Sequence, residues 1–353
     1  MITLQRLAAT AALTAALVAC SDTLSPDTVD PQALNTNVTN LASTFENNVA
    51  FASMRTLAPS FPAYNATAFI RAATAALDVA AHPRATSQAP ARLLASLHGA
   101  TGTEALFPID VLGKTLVWDT VTDAYIVSNL PNAPANGIRI VLYVADANTG
   151  QPSLPLFPIG NLDLTDESSP ANNKLGVLVR VGGLTIADYA ITATFATTSV
   201  NISAAGFVRS GDGTQQADFT ITGTASASGI VLHAVIAGSD GTAIAATLSI
   251  DSTTTAIDLA VAKDHNSIAI HIEGPTSGSS AATGTIKFNG TVVATITGTA
   301  DNPVFTPVGE HGLTGADIAT LLQMFSQLGQ FIGHFIDGVF APAGIVFGSA
   351  ITL

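Results

Sequence analysis

Large apolar residues and small polar residues alternate with a period of two through much of the region 174–306. One clear case puts Phe219 and Ile221 on one face of an extended chain, with the aspartate and threonines around them on the other face. The same alternation recurs at 244–250 and at 267–273. This pattern predicts β-strands that bury one apolar face and expose a second face of Thr, Ser and Ala, as in an antiparallel sheet with one covered side.

Turn signals rich in Gly, Asn and Asp divide this region into strand-length segments, which predicts hairpin connections. Three earlier segments, 114–118, 125–127 and 137–144, predict further strands, whereas the prolines of 154–158 favour an edge strand or a bulged strand there. Roughly eight to ten strands are expected without a fixed-period repeat, and the Asp-Asn-Pro sequence at 301–303 is expected to end the sheet. The turn signals lie at 182–183, 211–213, 238–241, 264–266 and 289–290.

Apolar residues at helical spacing precede the β region. They predict an amphipathic helix over 34–54, a second helix capped by Asn65 and a weaker third helix over 89–97. Each is rich in alanine and carries one apolar stripe, which favours packing on the sheet or on another helix.

A long apolar helix is predicted after the sheet, with Thr314 as its N-cap. The prediction ends this helix at the Ala-Pro-Ala-Gly sequence 341–344 and adds a last strand from Ile345. Its length and its Gly329-x-x-x-Gly333 motif suit a transmembrane span, and an interfacial helix is a further alternative. The Gln and Ser residues within it and the absence of flanking Lys or Arg favour a cover on the apolar face of the sheet.

These elements predict an α+β, β-dominated fold. A large curved antiparallel sheet, arranged as a meander, a half-barrel or a sandwich, is expected to be covered by N- and C-terminal amphipathic helices. A single globular domain is expected over 34–353, with helices in 34–100, the sheet in 110–306 and the C-terminal helix in 314–341.

The chain carries few charges, and acidic residues dominate them. Of its 353 residues 10% are charged, and 25 Asp and Glu outnumber 12 Lys and Arg to give a net charge of −13. This balance argues against binding to nucleic acid, whose phosphates would repel the chain, and against polybasic docking on anionic lipids. Low charge together with alternating patterning is typical of a globular β protein.

The N-terminal segment has the pattern of a secretory signal. Arg6 supplies a positive start, residues 7–19 form an uncharged apolar run too short to span a bilayer, and Cys20 follows directly. The Leu-Val-Ala-Cys sequence at 17–20 resembles the lipobox of bacterial lipoproteins. That resemblance implies that 1–19 is a cleaved signal peptide and that Cys20 is acylated; an ordinary signal peptide with an unrelated cysteine is the alternative.

The segment after the signal connects the anchor to the domain. Residues 20–33 are polar and contain two prolines, so they are predicted to comprise the acylated cysteine and a flexible tether. In such lipoproteins an Asp after the cysteine indicates retention in the inner membrane. Ser21 occupies that position here, which by analogy implies the outer membrane, on its periplasmic side or at the cell surface.

The strongest chemical signal is a pair of titratable residues on one predicted strand. His271 and Glu273 are two residues apart and therefore share a face, with His265 at the same parity in the preceding turn. A metal site would need a third ligand such as Asp258 or His233, and nothing in the spacing supplies it. A hydrated outer-face cluster is the favoured interpretation. The chain has no recognised catalytic or phosphate-binding motif, so no catalytic residue, cofactor or metal is predicted.

Two classes of function follow from this architecture, which loosely resembles the half-barrel lipoprotein carriers and chaperones of the LolA/LolB-like group. In that group helices plug a concave apolar sheet, and the resemblance implies a non-enzymatic envelope protein that binds a lipid or another apolar ligand between sheet and helices. The alternative is a structural or adhesion-like surface module with a closed core that binds a protein or a glycan. An enzyme acting through His271 and Glu273 ranks third. The residues expected to line an apolar site are Phe219, Ile221, Ile244, Leu248, Ile250, Ile268, Ile270, Phe325, Ile332 and Phe335.

Overall fold

Three helices and fifteen strands make up the part of the chain that the structure describes. The structure is a computed structural model and describes residues 29–57, 106–146, 149–196, 198–226, 228–275, 282–299, 302–309 and 313–347. In chain order the elements are α1 (Pro31–Glu46), α2 (Val49–Leu57), β1 (Lys114–Asp119), β2 (Ala124–Ser128), β3 (Gly137–Tyr143), β4 (Pro158–Asp166), β5 (Asn173–Val181), β6 (Leu184–Phe195), β7 (Ser199–Arg209), β8 (Gln216–Ser226), β9 (Gly229–Gly238), β10 (Ala243–Asp251), β11 (Thr254–Lys263), β12 (Asn266–Pro275), β13 (Ala282–Phe288), β14 (Thr291–Thr299), β15 (Asn302–Pro307) and α3 (Gly315–Phe347).

All of these strands form one open sheet. From β3 to β15 each strand pairs with the next along the chain, and β1 and then β2 complete the other edge. The pairs are antiparallel except for β1 and β3, which run parallel. The helices pack on the apolar face, where the period-two alternation places Phe219 and Ile221. The predicted α+β, β-dominated fold with a large curved sheet is therefore confirmed.

The sheet has more strands than the eight to ten that were expected, because several of its turns contain no glycine. The five predicted turns connect strands as expected. However, the sequence between β6 and β7, between β8 and β9 and between β10 and β11 consists of Ala, Ser and Thr and contains no glycine. Ser and Thr hydroxyls bond to nearby backbone groups and so support a turn without the glycine signal. The strand expected over 154–158 is wrong, since β4 begins only at Pro158 and the residues before it are bent.

The segment 301–303 was expected to end the sheet. It instead overlaps the last strand of the sheet, β15. Val308, just beyond β15, donates its N–H to the carbonyl of Val293 over 2.9 Å. Because successive residues of an antiparallel strand face alternate neighbours, Pro303, Phe305 and Pro307 direct their backbone polar groups to the free edge. Two of these three residues have no N–H to donate. This arrangement explains how the strand tolerates its prolines, and it makes the edge a poor template for another chain.

Helix α1 begins at Pro31, inside the segment predicted as a flexible tether. Asp30 caps it, since its carboxylate accepts the N–H groups of Gln32 at 2.9 Å and Ala33 at 3.2 Å. Val29 is already buried. The predicted boundary between tether and domain therefore lies several residues too late.

The helix predicted over 34–54 is in fact two helices, because Asn48 starts a new one. Its side-chain oxygen accepts the N–H groups of Ala50 at 2.9 Å and Phe51 at 3.1 Å, while its amide donates to the carbonyl of Arg209 at 2.7 Å. Asn48 thus caps α2 and ties the α1–α2 corner to the end of β7.

Helix α3 continues through Pro342 to Phe347, so the predicted helix end at 341–344 and the predicted strand from Ile345 are wrong over the described residues. Proline removes one helical hydrogen bond. The packing of this last turn offsets the loss, because Ala343 and Ile345 beside the proline are buried. Within the described part of the chain, no helix combines the length and the apolar character that a membrane span requires. The predicted signal peptide, Cys20, the helices expected at Asn65 and 89–97, and residues 348–353 lie outside the described residues.

Helices α1 and α3 run parallel and contact each other at a seven-residue spacing. Seven residues correspond to two helical turns, so pairs that recur at this spacing keep the same side of each helix in contact over its length. Three polar pairs mark the contact, namely Gln32–Thr320, Thr39–Gln327 and Glu46–His334.

Phe335 is the centre of the contact between the helices and the sheet. Its ring lies 5.9 Å from that of Phe45 in α1, 5.7 Å from Phe51 in α2 and 5.2 Å from Phe219 in β8. The contacts with Phe45 and Phe219 are edge-to-face, which is a favoured aromatic geometry. All four rings are buried, so a single side chain joins three helices to the sheet.

Tyr189 of β6 makes a buried polar contact with the same helix. Its hydroxyl donates to the carbonyl of Val339 at 2.8 Å, in the turn before Pro342. Complete burial raises the pKa of this hydroxyl well above its ordinary value, so it remains a neutral donor. The bond fixes α3 along its axis relative to the sheet.

Two glycines of α3 give a matched test of this packing. A Cβ added to Gly333 meets open space, whereas one added to Gly338 overlaps the ring of Phe51. We expect Gly333→Ala to raise the free energy of unfolding by about 1 kcal/mol, because alanine is the better helix former. We expect Gly338→Ala to lower it by about 1–3 kcal/mol through overpacking. Denaturant unfolding measures both, and effects of the same sign would contradict the packing of α2 on α3.

An Asp-x-Thr sequence recurs in three hairpin turns. In each turn the aspartate carboxylate accepts both the N–H and the hydroxyl of the threonine two residues later. Asp212 also accepts the hydroxyl of Ser210 at 2.6 Å. The Ser210 hydroxyl first, and then the Thr214 N–H and hydroxyl, lower the pKa of Asp212 to about 2. The aspartates in this sequence are Asp212, Asp240 and Asp251.

We expect the β7–β8 turn to be weakened by acid only at low pH, near the lowered pKa of Asp212. The folded-state pKa of Asp212 lies below its ordinary value of 3.8, so its contribution to stability is present above pH 3.8 and is lost as the pH falls through about 2. An NMR titration of the side-chain carboxyl carbon, assigned with Asp212→Asn, should give a midpoint near 2. A midpoint near 3.8 would mean that these hydrogen bonds are absent in solution.

Candidate functional site

The residues predicted to line an apolar site lie between the sheet and the helices. They belong to one packed core, in which the rings of Phe219 and Phe335 lie 5.2 Å apart at 82°. Ile250 and Phe325 are half-buried against the same core. The other eight are buried, namely Phe219, Ile221, Ile244, Leu248, Ile268, Ile270, Ile332 and Phe335.

The opposite face of the sheet carries an uninterrupted row of polar side chains. Each member of the row is the direct cross-strand partner of the next, from β6 to β15. Every member is exposed or half-buried, and at the usual strand spacing the row is roughly 40 Å long. We call it the polar row. Its members are Thr192, Ser203, Thr222, His233, Thr247, Asp258, His271, Thr285, Thr295 and Thr306.

Two histidines occupy the middle of the polar row, and each has a polar partner on the next strand. Nδ1 of His233 lies 3.0 Å from the hydroxyl of Thr247, and Nδ1 of His271 lies 2.7 Å from a carboxylate oxygen of Asp258. Nε2 of His271 is 3.7 Å from a carboxylate oxygen of Glu273. The side chains of His271 and Asp258 are 41% and 55% exposed, so their pairing contributes little to stability.

Beside the histidines, three alanines create a depression of about 130 Å³. Ala245, Ala260 and Ala269 are direct partners on β10, β11 and β12, and their small side chains leave a low floor. Lys287 continues this row on β13. Members of the polar row form the adjacent wall, namely Thr247, Asp258, His271 and Thr285.

The structure brings together some of the residues that the sequence analysis considered, and set aside, as metal ligands. Asp258 contacts His271, whereas His233 lies three strands away on β9 and His265 lies in the turn with a positive φ of 72°. No cluster of three or more His, Cys, Asp or Glu with metal-binding geometry occurs among the described residues. The contact between Asp258 and His271 follows from the register of the two-residue turn at 264–265, which pairs them directly.

The arrangement suits hydrogen bonding to a polar ligand more than bond-breaking chemistry. The hydroxyl of Thr247 contacts His233, but the carboxylate of Asp258 contacts the other histidine, so these groups do not form a hydroxyl–imidazole–carboxylate triad. The depression instead combines a carboxylate, an imidazole, an ammonium group and two hydroxyls above an apolar floor. No family model, no curated protein and no solved structure matches this chain, so none of these residues has a role assigned by a relative.

Proposed function

We propose that the protein is a non-enzymatic, lipid-anchored module of the bacterial outer membrane that binds a glycan on the outer face of its sheet. The observation that carries this proposal is the contrast between the two faces. One face is filled by its own helices, and the other presents the polar row with its central depression. Of the two ligand classes expected for a closed module, protein and glycan, the depression favours the glycan.

The closed core supports the choice of a surface module over a lipid carrier. A ligand between sheet and helices would have to separate Phe335 from the rings of Phe45, Phe51 and Phe219, all of which are buried. Burial of side chains of this size contributes about 1.5–3 kcal/mol each, so opening the contact is costly. The lipid carrier remains the competing function, with the same buried residues as its binding site.

The chemistry of the depression supports a sugar as the ligand. Sugar hydroxyls donate and accept hydrogen bonds, and the depression offers acceptors at Asp258, donors at Lys287 and groups of both kinds at His271 and Thr247. The alanine floor gives the apolar face of a sugar ring a surface to contact. Hydrogen bonds to charged groups contribute about 1.5–3 kcal/mol, which makes Asp258 the residue expected to matter most.

The proposed anchor rests on the N-terminal sequence. The apolar run 7–19 and Cys20 match the order that acylation requires, and the only cysteine of the chain occupies the required position. Two or three acyl chains make a stable anchor, because each buried methylene contributes about 0.8 kcal/mol.

Glycan binding is expected to depend on the wall of the depression. Against soluble oligosaccharides released from bacterial envelope polymers, Asp258→Ala should weaken the affinity at least about tenfold, since it removes a charged acceptor. Isothermal titration calorimetry on the full chain measures the change. The matched control is Asn201→Ala, an exposed residue of the same face outside the depression, which should bind as the wild type does. Equal affinities for Asp258→Ala and the wild type, or no binding by any form, would refute the site.

Acylation is expected to require Cys20. Metabolic labelling with a radioactive fatty acid should tag the wild type and leave Cys20→Ala unlabelled, and only the wild type should fractionate with membranes. The control Ser21→Ala keeps the acylated position and should be labelled as the wild type is. Equal labelling of wild type and Cys20→Ala would overturn the anchor.

A further inference from the structure

The open sheet has two ends, and one of them is also where α1 lies. β1 and β3 are parallel, and the odd-numbered strands of the meander run in the same direction, so all of them finish at one end of the sheet. Along that end, Nζ of Lys263 donates to the side chain of Asn37 at 3.2 Å, and the amide of Asn48 donates to the carbonyl of Arg209. We call this the α1 end. It comprises the last residues of the odd-numbered strands and the connections that follow them.

The first described residues of the chain, just before α1, lie at the α1 end. Val29 lies two residues before the start of α1, and only residues 21–28 separate it from Cys20. A chain of this length spans at most about 32 Å when fully extended. A lipid anchor at Cys20 therefore keeps the start of α1, on the β11 side of this end, within that distance of the bilayer surface.

Three large apolar side chains are exposed at this same end. Val121, in the β1–β2 connection, is 88% exposed, and Leu154 and Phe157, in the β3–β4 connection, are 69% and 59% exposed. The backbone of Phe157 is held in place, since its carbonyl accepts the N–H of Val144 at 3.2 Å. Because β1 and β3 are neighbours, these two connections lie side by side. Apolar side chains grouped in this way on a surface are typical of an interaction site.

We propose that the α1 end is a membrane-contact surface, with Val121, Leu154 and Phe157 inserted among the lipids of the bilayer that holds Cys20. This inference rests on the anchor in the proposed function and adds an orientation to it. The strands then stand away from the bilayer, and the polar row on their outer face stays open to the surrounding solution.

The charged side chains at this end indicate which lipid headgroups the surface would contact. Asp119 and Asp123 flank Val121, and Asp146 belongs to the same connection as Leu154 and Phe157. Carboxylates at these positions oppose an anionic surface, so the contact is expected with zwitterionic headgroups.

A fluorescent probe at each end of the sheet tests the orientation. Acylation consumes the thiol of Cys20, so Val121→Cys in the acylated full chain supplies a single thiol for an environment-sensitive dye. The matched control is Ile109→Cys. Ile109 is 83% exposed at the opposite end, where the nearby Leu106 N–H bonds to Asp166 at the end of β4. The strand that separates the two positions, β1, has six residues and is roughly 20 Å long, so the control probe stays beyond the proposed contact surface.

The acylated variants are reconstituted into phosphatidylcholine vesicles that contain a lipid with a nitroxide on its acyl chain. The dye at residue 121 should lose most of its fluorescence and the dye at residue 109 should lose none. If both proteins float with the vesicles and the two dyes are quenched equally, or residue 121 is not quenched, the contact surface is refuted and the anchor stands. If neither protein floats with the vesicles, the anchor fails and this inference fails with it.

Discussion

The fold depends on covering one face of an open sheet. Among the described residues the fifteen strands form one sheet with no second sheet to close against, so its apolar face must be buried by helices. α3 has 33 residues and is therefore about 50 Å long, which is enough to cross most of the sheet. Phe335 lies at the meeting point of α1, α2, α3 and β8. With this contact the two faces acquire different roles, one as the core and the other as a surface.

The outer face is organised by the same strand pairing that builds the core. Because a strand alternates with a period of two, the register that brings Ile221, Ile236 and Leu248 inward also fixes which residues point outward. Short hairpins keep that register over ten successive strands and so generate the polar row. The depression follows from residue size alone, where three paired alanines lie beside larger neighbours. No separate loop or insertion is needed to form the candidate site.

The sequence predicts the sheet, its apolar face and the covering helices, because each depends on a local period that recurs over many residues. Features that depend on one contact are harder to foresee. Asn48 divides the first helix by bonding to the distant Arg209, and Pro342 stays helical because its neighbours are buried. The contact between His271 and Asp258 follows from the register of a predicted turn. The alternation does not distinguish a ligand site lined by Phe219 and Phe335 from direct packing of the two rings. Both arrangements need the same apolar residues.

In this structure the protein's own helices close the apolar face of the sheet. Native mass spectrometry of the full chain with Cys20→Ala, which removes the proposed anchor, tests it directly after incubation with envelope lipids. We expect the mass of the polypeptide alone. A defined additional mass that is released on denaturation and identified as a lipid would contradict it and would establish a ligand between the sheet and the helices.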